Sequence, residues 1–519
     1  MSHVLEVVDA TGTPRVRMQA PYLIERTGRV VAARVNVEGC AFDASPLPPW
    51  NRHPTPPGAT ECLVRISWSR PGVRVDYPAV LDPTWTTATS AMTVPRRAHT
   101  ATLLSDGRVL VVGGERSAAG GAVTHHTSAE LFDPATDTFA ATGSLSVARS
   151  HHAAVRLGDG TVLIAGGSNA TPALAPAERW DPTTGQFTAA GTLGDARRDA
   201  GLAVRPSGDA LVSGGTDVDG NTLRSTEFFD ATTGRWSRAQ QMSSARSEHA
   251  LVLLSLGQLL AVGGISTKGV LDLTSCEEFG SAATWSRTGS LNEARHAFAT
   301  AILSPTAVLV AGGQPAVGAS TSRTAELYDS TTRTWSRTGS LAESRAYATL
   351  TPTGNGSAVA AGGAALDAAG VATSVRGTTE VFRPESGEWA PLSDLADPRY
   401  QHTGTLLLDG RVLLAGGEGE AATLATAELL ELDDVGAACT SLATCKSGFC
   451  VDGVCCESAC DSTCLACSRA ATGGSDGTCA DVQANLDPRG DCADDGAPAC
   501  GLNGLCDGAG ACDRYAGPG

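Results

Sequence analysis

Short apolar runs recur along the chain, and turn residues bound each of them. In one repeat, residues 99–104 and 108–112 are separated by Ser-Asp-Gly at 105–107, which is a signal for a β-hairpin. A second turn, Asp-Pro-Ala-Thr-Asp at 133–137, separates two further short strand patterns. No stretch of the sequence has a sustained 3.6-residue period with helix caps. The pattern therefore predicts units of four antiparallel strands, called A to D in chain order.

The predicted strand B ends in a Gly-Gly pair in each unit, and a fixed period of this length marks a repeat architecture. Seven pairs recur at intervals of 48 to 54 residues. They lie at 113–114, 166–167, 214–215, 263–264, 312–313, 362–363 and 416–417. An arginine lies seventeen residues before the first glycine of every pair. These arginines are Arg96, Arg149, Arg197, Arg246, Arg295, Arg345 and Arg399.

A glutamate follows each pair, 12 to 18 residues after its first glycine. The glutamates are Glu130, Glu178, Glu227, Glu277, Glu326, Glu380 and Glu428. An aromatic residue comes nine residues after the glutamate, or eight in the fourth repeat. The aromatics are Phe139, Phe187, Trp236, Trp285, Trp335 and Trp389. Only the segment between Gly-Gly and glutamate varies in length.

These features closely resemble the kelch repeat, a four-stranded β-propeller blade with Gly-Gly after strand B and aromatic residues on strands C and D. The resemblance covers about residues 80–432. It departs from the pattern at 278–281, where an Asp-Pro-like turn is replaced, and at Arg383-Pro384. It implies an all-β fold, a seven-bladed β-propeller. Binding sites on such scaffolds usually lie on loops of variable length, which here gather on one face.

The ends of the repeat region indicate how the ring closes. The seventh repeat stops after the Glu428 strand, whereas an unpaired aromatic strand at Trp85 lies eleven residues before Arg96. We therefore expect the Trp85 strand to complete the last blade, which removes the open edges of a linear array.

Composition limits the cellular compartment of the protein and the kinds of partner that it can bind. The chain has 519 residues and a net charge of −17, which disfavours nucleic-acid binding. No apolar run is long enough for a membrane span, and the first residues do not read as a signal peptide. Thirteen of the sixteen cysteines fall within residues 439–512, in a tail that has few large apolar residues. Such a tail needs cross-links to fold, which predicts disulfides and an extracellular or cell-surface location.

Three domains follow from this organisation. Residues 1–79 are predicted to form a small β-rich module, 80–435 the propeller, and 436–519 a disulfide-stabilised region. Cys40 and Cys62 flank a Pro-rich loop of the first module and are a disulfide candidate. We expect both ends of the chain to be truncated. The layout resembles secreted or surface kelch proteins of GC-rich bacteria.

The repeat arginines have two interpretations. They are candidates for a binding face, because arginines near the start of strand A line a peptide-binding mouth in some kelch adaptors. The alternative, a strut that bonds backbone or the repeat glutamate, is favoured because symmetric repeat residues mostly serve stacking. The seven glutamates and the tryptophans are predicted to be structural; the tryptophans are Trp85, Trp236, Trp285, Trp335 and Trp389.

A metal site has weaker support in the sequence than a structural role of the repeat residues. Histidine follows the arginine by three residues in four repeats, at His99, His152, His249 and His402. These side chains form either an acid–base or metal cluster near the channel or, as favoured, a packed position bonded to a neighbouring blade. The copper-radical oxidases of the galactose oxidase type have a similar scaffold, but their Tyr-His dipeptide does not occur, and Cys276 is the only thiol within the propeller repeats. No catalytic residue, metal or cofactor is therefore predicted.

The sequence favours a non-enzymatic binding or adhesion protein that uses the variable-loop face to bind a protein or glycan on the cell surface. The alternative is a secreted enzyme on the same scaffold, either like the copper-radical oxidases or carbohydrate-active.

Overall fold

The computed structural model describes the chain in three parts. It describes seven short strands between residues 4 and 81, residues 85–432 with gaps, and short segments between 445 and 514. The gaps are 119–120, 256, 267–270, 316–318, 354–355, 368–369 and 385. By its internal contacts the chain divides into a unit of residues 84–431 and a unit of 1–83 with 432–519.

The larger unit consists of seven four-stranded antiparallel sheets, each with strands in the order A, B, C, D. Strands A are Thr100–Leu103, Ala153–Arg156, Gly201–Val204, Ala250–Leu253, Ala299–Ser304, Thr349–Pro352 and Thr403–Leu406. Strands B are Val109–Val112, Val162–Ala165, Ala210–Ser213, Leu259–Val262, Ala307–Ala311, Ala358–Ala361 and Val412–Ala415. The sheets are blades 1 to 7 in this order.

The outer strands complete each blade. Strands C are Ala129–Asp133, Leu174–Asp181, Thr226–Asp230, Cys276–Phe279, Ala325–Asp329, Thr379–Arg383 and Ala427–Leu430. Strands D of blades 1 to 6 are Thr138–Ala141, Gln186–Arg197, Arg235–Arg238, Trp285–Arg287, Thr334–Arg337 and Glu388–Leu392. Hairpins of Glu115–Ser117 with Val123–His125, Ile265–Ser266 with Leu271–Asp272, and Ala364–Leu366 with Ala372–Val375 extend the loops of blades 1, 4 and 6.

The core lies between the blades. Strands B are continuous apolar runs because both of their faces are covered, and in blade 1 all four residues of this strand are buried. Val111 and Phe132 of blade 1 pack in one cluster with Leu413 and Leu429 of blade 7. Strands A of neighbouring blades contact one another at six of the seven junctions, so strand A is the innermost strand.

The predicted seven-bladed propeller and its closure are confirmed. The strand Trp85–Thr87 pairs with strand C of blade 7, with Trp85 opposite Leu430 and Thr87 opposite Glu428. Strand D of the last blade therefore comes from the N-terminal side of the repeats, and sheet edges that a linear array would expose are paired.

The second unit contains short strands and five disulfides among the described residues. Its N-terminal strands are Val4–Val8, Pro14–Gln19, Tyr22–Ile24, Val30–Ala32, Arg34–Glu38, Leu63–Ser67 and Val80–Leu81. The tail has the strands Cys450–Val451, Val454–Cys455, Leu465–Ala466, Ala480–Asp481, Leu502–Cys506 and Cys512–Arg514, with a one-turn helix at Arg469–Thr472. The disulfides are Cys445–Cys455, Cys456–Cys467, Cys460–Cys479, Cys464–Cys506 and Cys492–Cys512. The candidate pair Cys40 and Cys62 lies outside the described residues.

Candidate active site

The seven repeat arginines lie inside the blades. Each guanidinium is at most 1% exposed, so none of them presents its charge to the variable-loop face. The Nη1 atom donates to the carbonyl of the first Gly-Gly residue at 2.6–2.9 Å. The Nη2 atom donates to the repeat glutamate of the same blade at 2.7–2.9 Å. The arginine thus joins the start of strand A to the end of strand B and to strand C.

The repeat glutamates connect this network to the preceding loop. In every blade a glutamate oxygen accepts from the backbone N–H three residues before the arginine, at 2.6–2.8 Å. Hydrogen bonds from both sides compensate the carboxylate for its burial.

The Gly-Gly pair forms the joint between blades. The second glycine donates its N–H to the carbonyl of the next blade's arginine at 2.8–2.9 Å in all seven blades. A Cβ atom on the first glycine would lie within 2.8 Å of that same carbonyl oxygen. Both glycines also have a left-handed φ, so the site requires glycine for conformation and for space.

The four histidines that follow the arginines also bond between blades. His99, His152 and His402 contact threonine hydroxyls of the preceding blade at 2.9–3.1 Å, and His249 contacts Ser213 at 2.8 Å. Burial lowers the pKa of His249 to about 3, with the positive charge of Arg246 acting in the same direction. Burial likewise lowers the pKa of the other three well below the ordinary value. Neutral, buried imidazoles in these positions serve packing rather than proton transfer.

Seven residues form a ring around the propeller axis, one from each blade, and each lies two positions after the repeat arginine. These positions were not singled out from the sequence. All seven have a left-handed φ between 48° and 54°, although none is glycine. In six of the seven, the backbone N–H donates to the carbonyl of the corresponding residue one blade earlier, at 2.8–3.2 Å. Non-glycine residues in this region are uncommon and often mark functional sites. The members of this axial ring are Ala98, His151, Asp199, Glu248, Ala297, Tyr347 and Gln401.

One half of the axial ring carries a histidine–aspartate pair. His151 Nδ1 lies 2.8 Å from Asp199 Oδ1, and Asp199 Oδ2 accepts from Arg198 Nη1 at 2.7 Å. The His151 side chain is 27% exposed and Asp199 is 12% exposed, so the imidazole is accessible to a ligand whereas its partner is mostly covered.

Glu248 and Tyr347 form a second pair across the ring. The Tyr347 hydroxyl donates to Glu248 Oε2 at 3.3 Å, spanning the position of Ala297 in the blade between them. Both side chains are half-buried. The small side chain of Ala297 leaves room for this connection.

The ionisation of these four groups follows from their surroundings. Burial and then the negative charge of Asp199 raise the pKa of Glu248. Burial acts to lower the pKa of His151, but the Asp199 carboxylate outweighs it and the pKa is raised. Burial acts to raise the pKa of Asp199, and His151 outweighs it, so the pKa is lowered. Burial and the Glu248 carboxylate hold the pKa of Tyr347 well above its usual range, so the phenol stays protonated.

The described residues of the propeller bring no three His, Cys, Asp or Glu donors together. Among the described residues, the groups of three converging His, Cys, Asp or Glu donors are Cys456, Cys460, Cys467 and Cys464, Cys492, Cys512, and all six cysteines are in disulfides. Cys276 is fully buried in blade 4, where burial raises the pKa of its thiol to about 11. The axial ring brings only one imidazole and one carboxylate into direct contact. The described His, Cys, Asp and Glu side chains of the propeller therefore do not form a three-donor copper site.

Comparisons with known proteins bear on the fold. No protein-family model matches the chain, and no curated protein matches it. A solved structure that is similar is a novel fungal alcohol oxidase with catalytic diversity among the AA5 family, in complex with copper. It is 15% identical, the match covers 68% of this chain and 77% of that one, and the TM-score is 0.55. At this identity the likeness shows the propeller fold, and the kelch family is not confirmed.

The same comparison corrects the functional prediction. The sequence favoured a non-enzymatic binding and adhesion protein, but the matched propeller is an enzyme. The prediction of a binding protein without enzymatic activity is corrected on this finding, because the match favours the alternative, an enzyme on this scaffold, which is taken up below as a proposal.

In the described part of the chain, no helix is long and apolar enough to cross a membrane.

Proposed function

We propose that the protein is an exported carbohydrate-active enzyme that works by general acid–base catalysis at the axial ring. The observation that carries the proposal is the pairing of His151 with Asp199 beside Glu248 and Tyr347, on a scaffold whose other repeated charges are internal struts. Titratable groups that retain some exposure and have shifted pKa values are typical of acid–base sites when they meet at one place. The five described disulfides support an oxidising compartment.

Each of the four residues has a role at neutral pH. Glu248 is the carboxylate base that takes a proton from water, and its raised pKa strengthens it. His151, whose imidazolium form is favoured by the Asp199 carboxylate, donates a proton to the leaving sugar oxygen. The water oxygen bonds to carbon while the bond to the leaving oxygen breaks, and its electron pair takes the proton from His151. Tyr347 holds Glu248 in place.

The test is a screen for new reducing ends on neutral and acidic polysaccharides with the wild type, Glu248→Gln and Glu388→Gln. Loss of a positioned acid or base costs about 10²–10⁴-fold in rate. We expect that loss in Glu248→Gln and wild-type rates in Glu388→Gln, whose carboxylate is exposed on strand D of blade 6. Wild-type activity in Glu248→Gln, or no product from any polysaccharide, would overturn the proposal.

Alcohol oxidation is the second candidate, because the matched structure is an alcohol oxidase with copper. The described side chains do not provide a copper centre, so no step is assigned to one. Metal analysis and peroxide release on sugars and primary alcohols test this candidate. Stoichiometric copper with peroxide production would favour it over hydrolysis.

A further inference from the structure

The surface around the axial ring, called the axial mouth, has two chemically different halves. One half is formed by blades 5 to 7 and the other by blades 1 to 4. Ala297, Ala346, Ala364 and Leu366 form a buried apolar cluster in the first half. The rings of Tyr347 and Tyr400 pack against this cluster and remain half-buried. Two aromatic rings therefore contribute to the accessible surface of this half, and Tyr347 lies beside the carboxylate of Glu248.

Both phenol groups lie near charged side chains of the other half of the mouth. Tyr347 donates to Glu248 of blade 4. Tyr400 lies near Arg97 of blade 1, whose positive charge acts to lower the pKa of the phenol against the larger effect of burial. Arg97 is itself held by Glu115, whose Oε1 accepts from both Nε and Nη2 at 2.9–3.1 Å. The Tyr347 ring is thus held at its hydroxyl end, and both rings pack against the apolar cluster. Little conformational entropy remains to be lost when a ligand stacks on these rings.

The charges near the rings also restrict the ligand. Asp199 is paired with His151 and Arg198, and Glu115 is paired with Arg97. Glu248 bonds to the neutral phenol of Tyr347, and the whole chain has a net charge of −17. Anionic sugars such as uronates would meet repulsion from the net charge at long range and from the Glu248 carboxylate at contact. A neutral ligand that combines an apolar face with hydroxyl groups at its rim fits aromatic rings bordered by polar groups.

From this arrangement we infer that Tyr347 and Tyr400 form a subsite for a neutral, gluco-configured pyranose residue, placed beside the acid–base pair. A pyranose with equatorial hydroxyls presents C–H bonds on its ring face, which stacks on an aromatic ring, while the hydroxyls reach the polar rim. An axial hydroxyl on the stacking face would be desolvated without a partner. The inference rests on the proposed function and names the substrate class of that site.

The experiment measures binding separately from turnover. Isothermal titration of the full chain carrying Glu248→Gln is carried out with tetramers of β-1,4-linked glucose, galactose and glucuronate. We expect the glucose tetramer to bind at least tenfold more tightly than the other two. Adding Tyr400→Ala should weaken its binding at least tenfold, whereas Tyr400→Phe, which keeps the ring, should weaken it less than threefold. Thermal melting of each variant verifies that it is folded.

The outcomes separate the two proposals. Equal binding of the three tetramers, binding unaffected by Tyr400→Ala, or equal losses in Tyr400→Ala and Tyr400→Phe would overturn the subsite. Failure of the acid–base mechanism would appear elsewhere, as wild-type turnover in Glu248→Gln, and it would leave the binding pattern of the tetramers intact.

Discussion

The backbone N–H of Gly417 donates a 2.8 Å hydrogen bond to the carbonyl of Arg96, which joins the last blade to the first. The same bond joins every other pair of neighbouring blades. Because Arg96 also binds Gly113 and Glu130 of its own blade, one arginine connects two blades through backbone and side chain together. The ring is therefore closed by the motif that builds each blade, in addition to the pairing of the Trp85 strand.

The joint between blades predicts a strong dependence on the first glycine of each pair. In Gly214→Ala, the added Cβ would overlap the carbonyl oxygen of Arg246, and φ is +58°. We expect a loss of about 2–4 kcal/mol in the free energy of unfolding, from the strained φ and the displaced backbone. Chemical denaturation measures this loss.

Gly220→Ala is the matched control for that variant. Gly220 also has a left-handed φ, +77°, but nothing lies within 4 Å of its added Cβ. Only the conformational cost of about 1 kcal/mol applies there. Equal destabilisation of the two variants would show that the contact between blades is unimportant.

The internal struts make a second prediction. Arg197→Met leaves the Glu227 carboxylate, which is 2% exposed, without its cation. Breaking a buried pair in this way costs about 3–5 kcal/mol. The control is Arg108→Met, which breaks a pair with Asp106 whose side chains are 36% and 45% exposed. That change should cost less than about 1 kcal/mol in the same denaturation experiment. A small effect of Arg197→Met would contradict the role of a strut.

The scaffold was predictable because each of its requirements is repeated in residue type. Glycine is needed where a Cβ would meet a carbonyl, and arginine with glutamate is needed where strands A, B and C meet, so these residues recur at fixed or nearly fixed spacing. The Trp85 strand was recognised because it supplies the one aromatic strand that the seventh repeat lacks. The one-turn helix at Arg469–Thr472 is too short for a periodic signal.

The axial ring was not predictable in the same way. What repeats there is a left-handed backbone conformation, whereas the residue changes from alanine to histidine, aspartate or tyrosine between blades. The fixed offset of two residues from the repeat arginine could have identified the positions. Their convergence depends on the curvature of the ring, which brings Glu248 of blade 4 to the hydroxyl of Tyr347 in blade 6.

The pairing of His151 with Asp199 makes a third prediction, which concerns ionisation alone. In Asp199→Asn, the pKa of His151 should fall, because the carboxylate that outweighs its burial is lost. Titration of the His151 ring protons by NMR measures the change. The stabilisation from this pair is complete below the unfolded pKa of about 6.5 and disappears as the pH rises through the raised folded value. A pKa for His151 that is unchanged in Asp199→Asn would contradict the assigned cause of the shift.

The fourth prediction is the pH dependence of turnover, which tests the roles of acid and base together. Catalysis requires Glu248 ionised and His151 protonated, so the rate should follow a bell-shaped curve. The acid limb should lie above the ordinary pKa of a glutamate and the alkaline limb above that of a histidine, because both pKa values are raised. Asp199→Asn removes a negative charge near both groups, so both limbs should move to lower pH. The two limbs should move together because Asp199 raises the pKa of both Glu248 and His151. A shift of one limb alone, or limbs at the ordinary pKa values, would show that Glu248 and His151 do not carry the proton transfers.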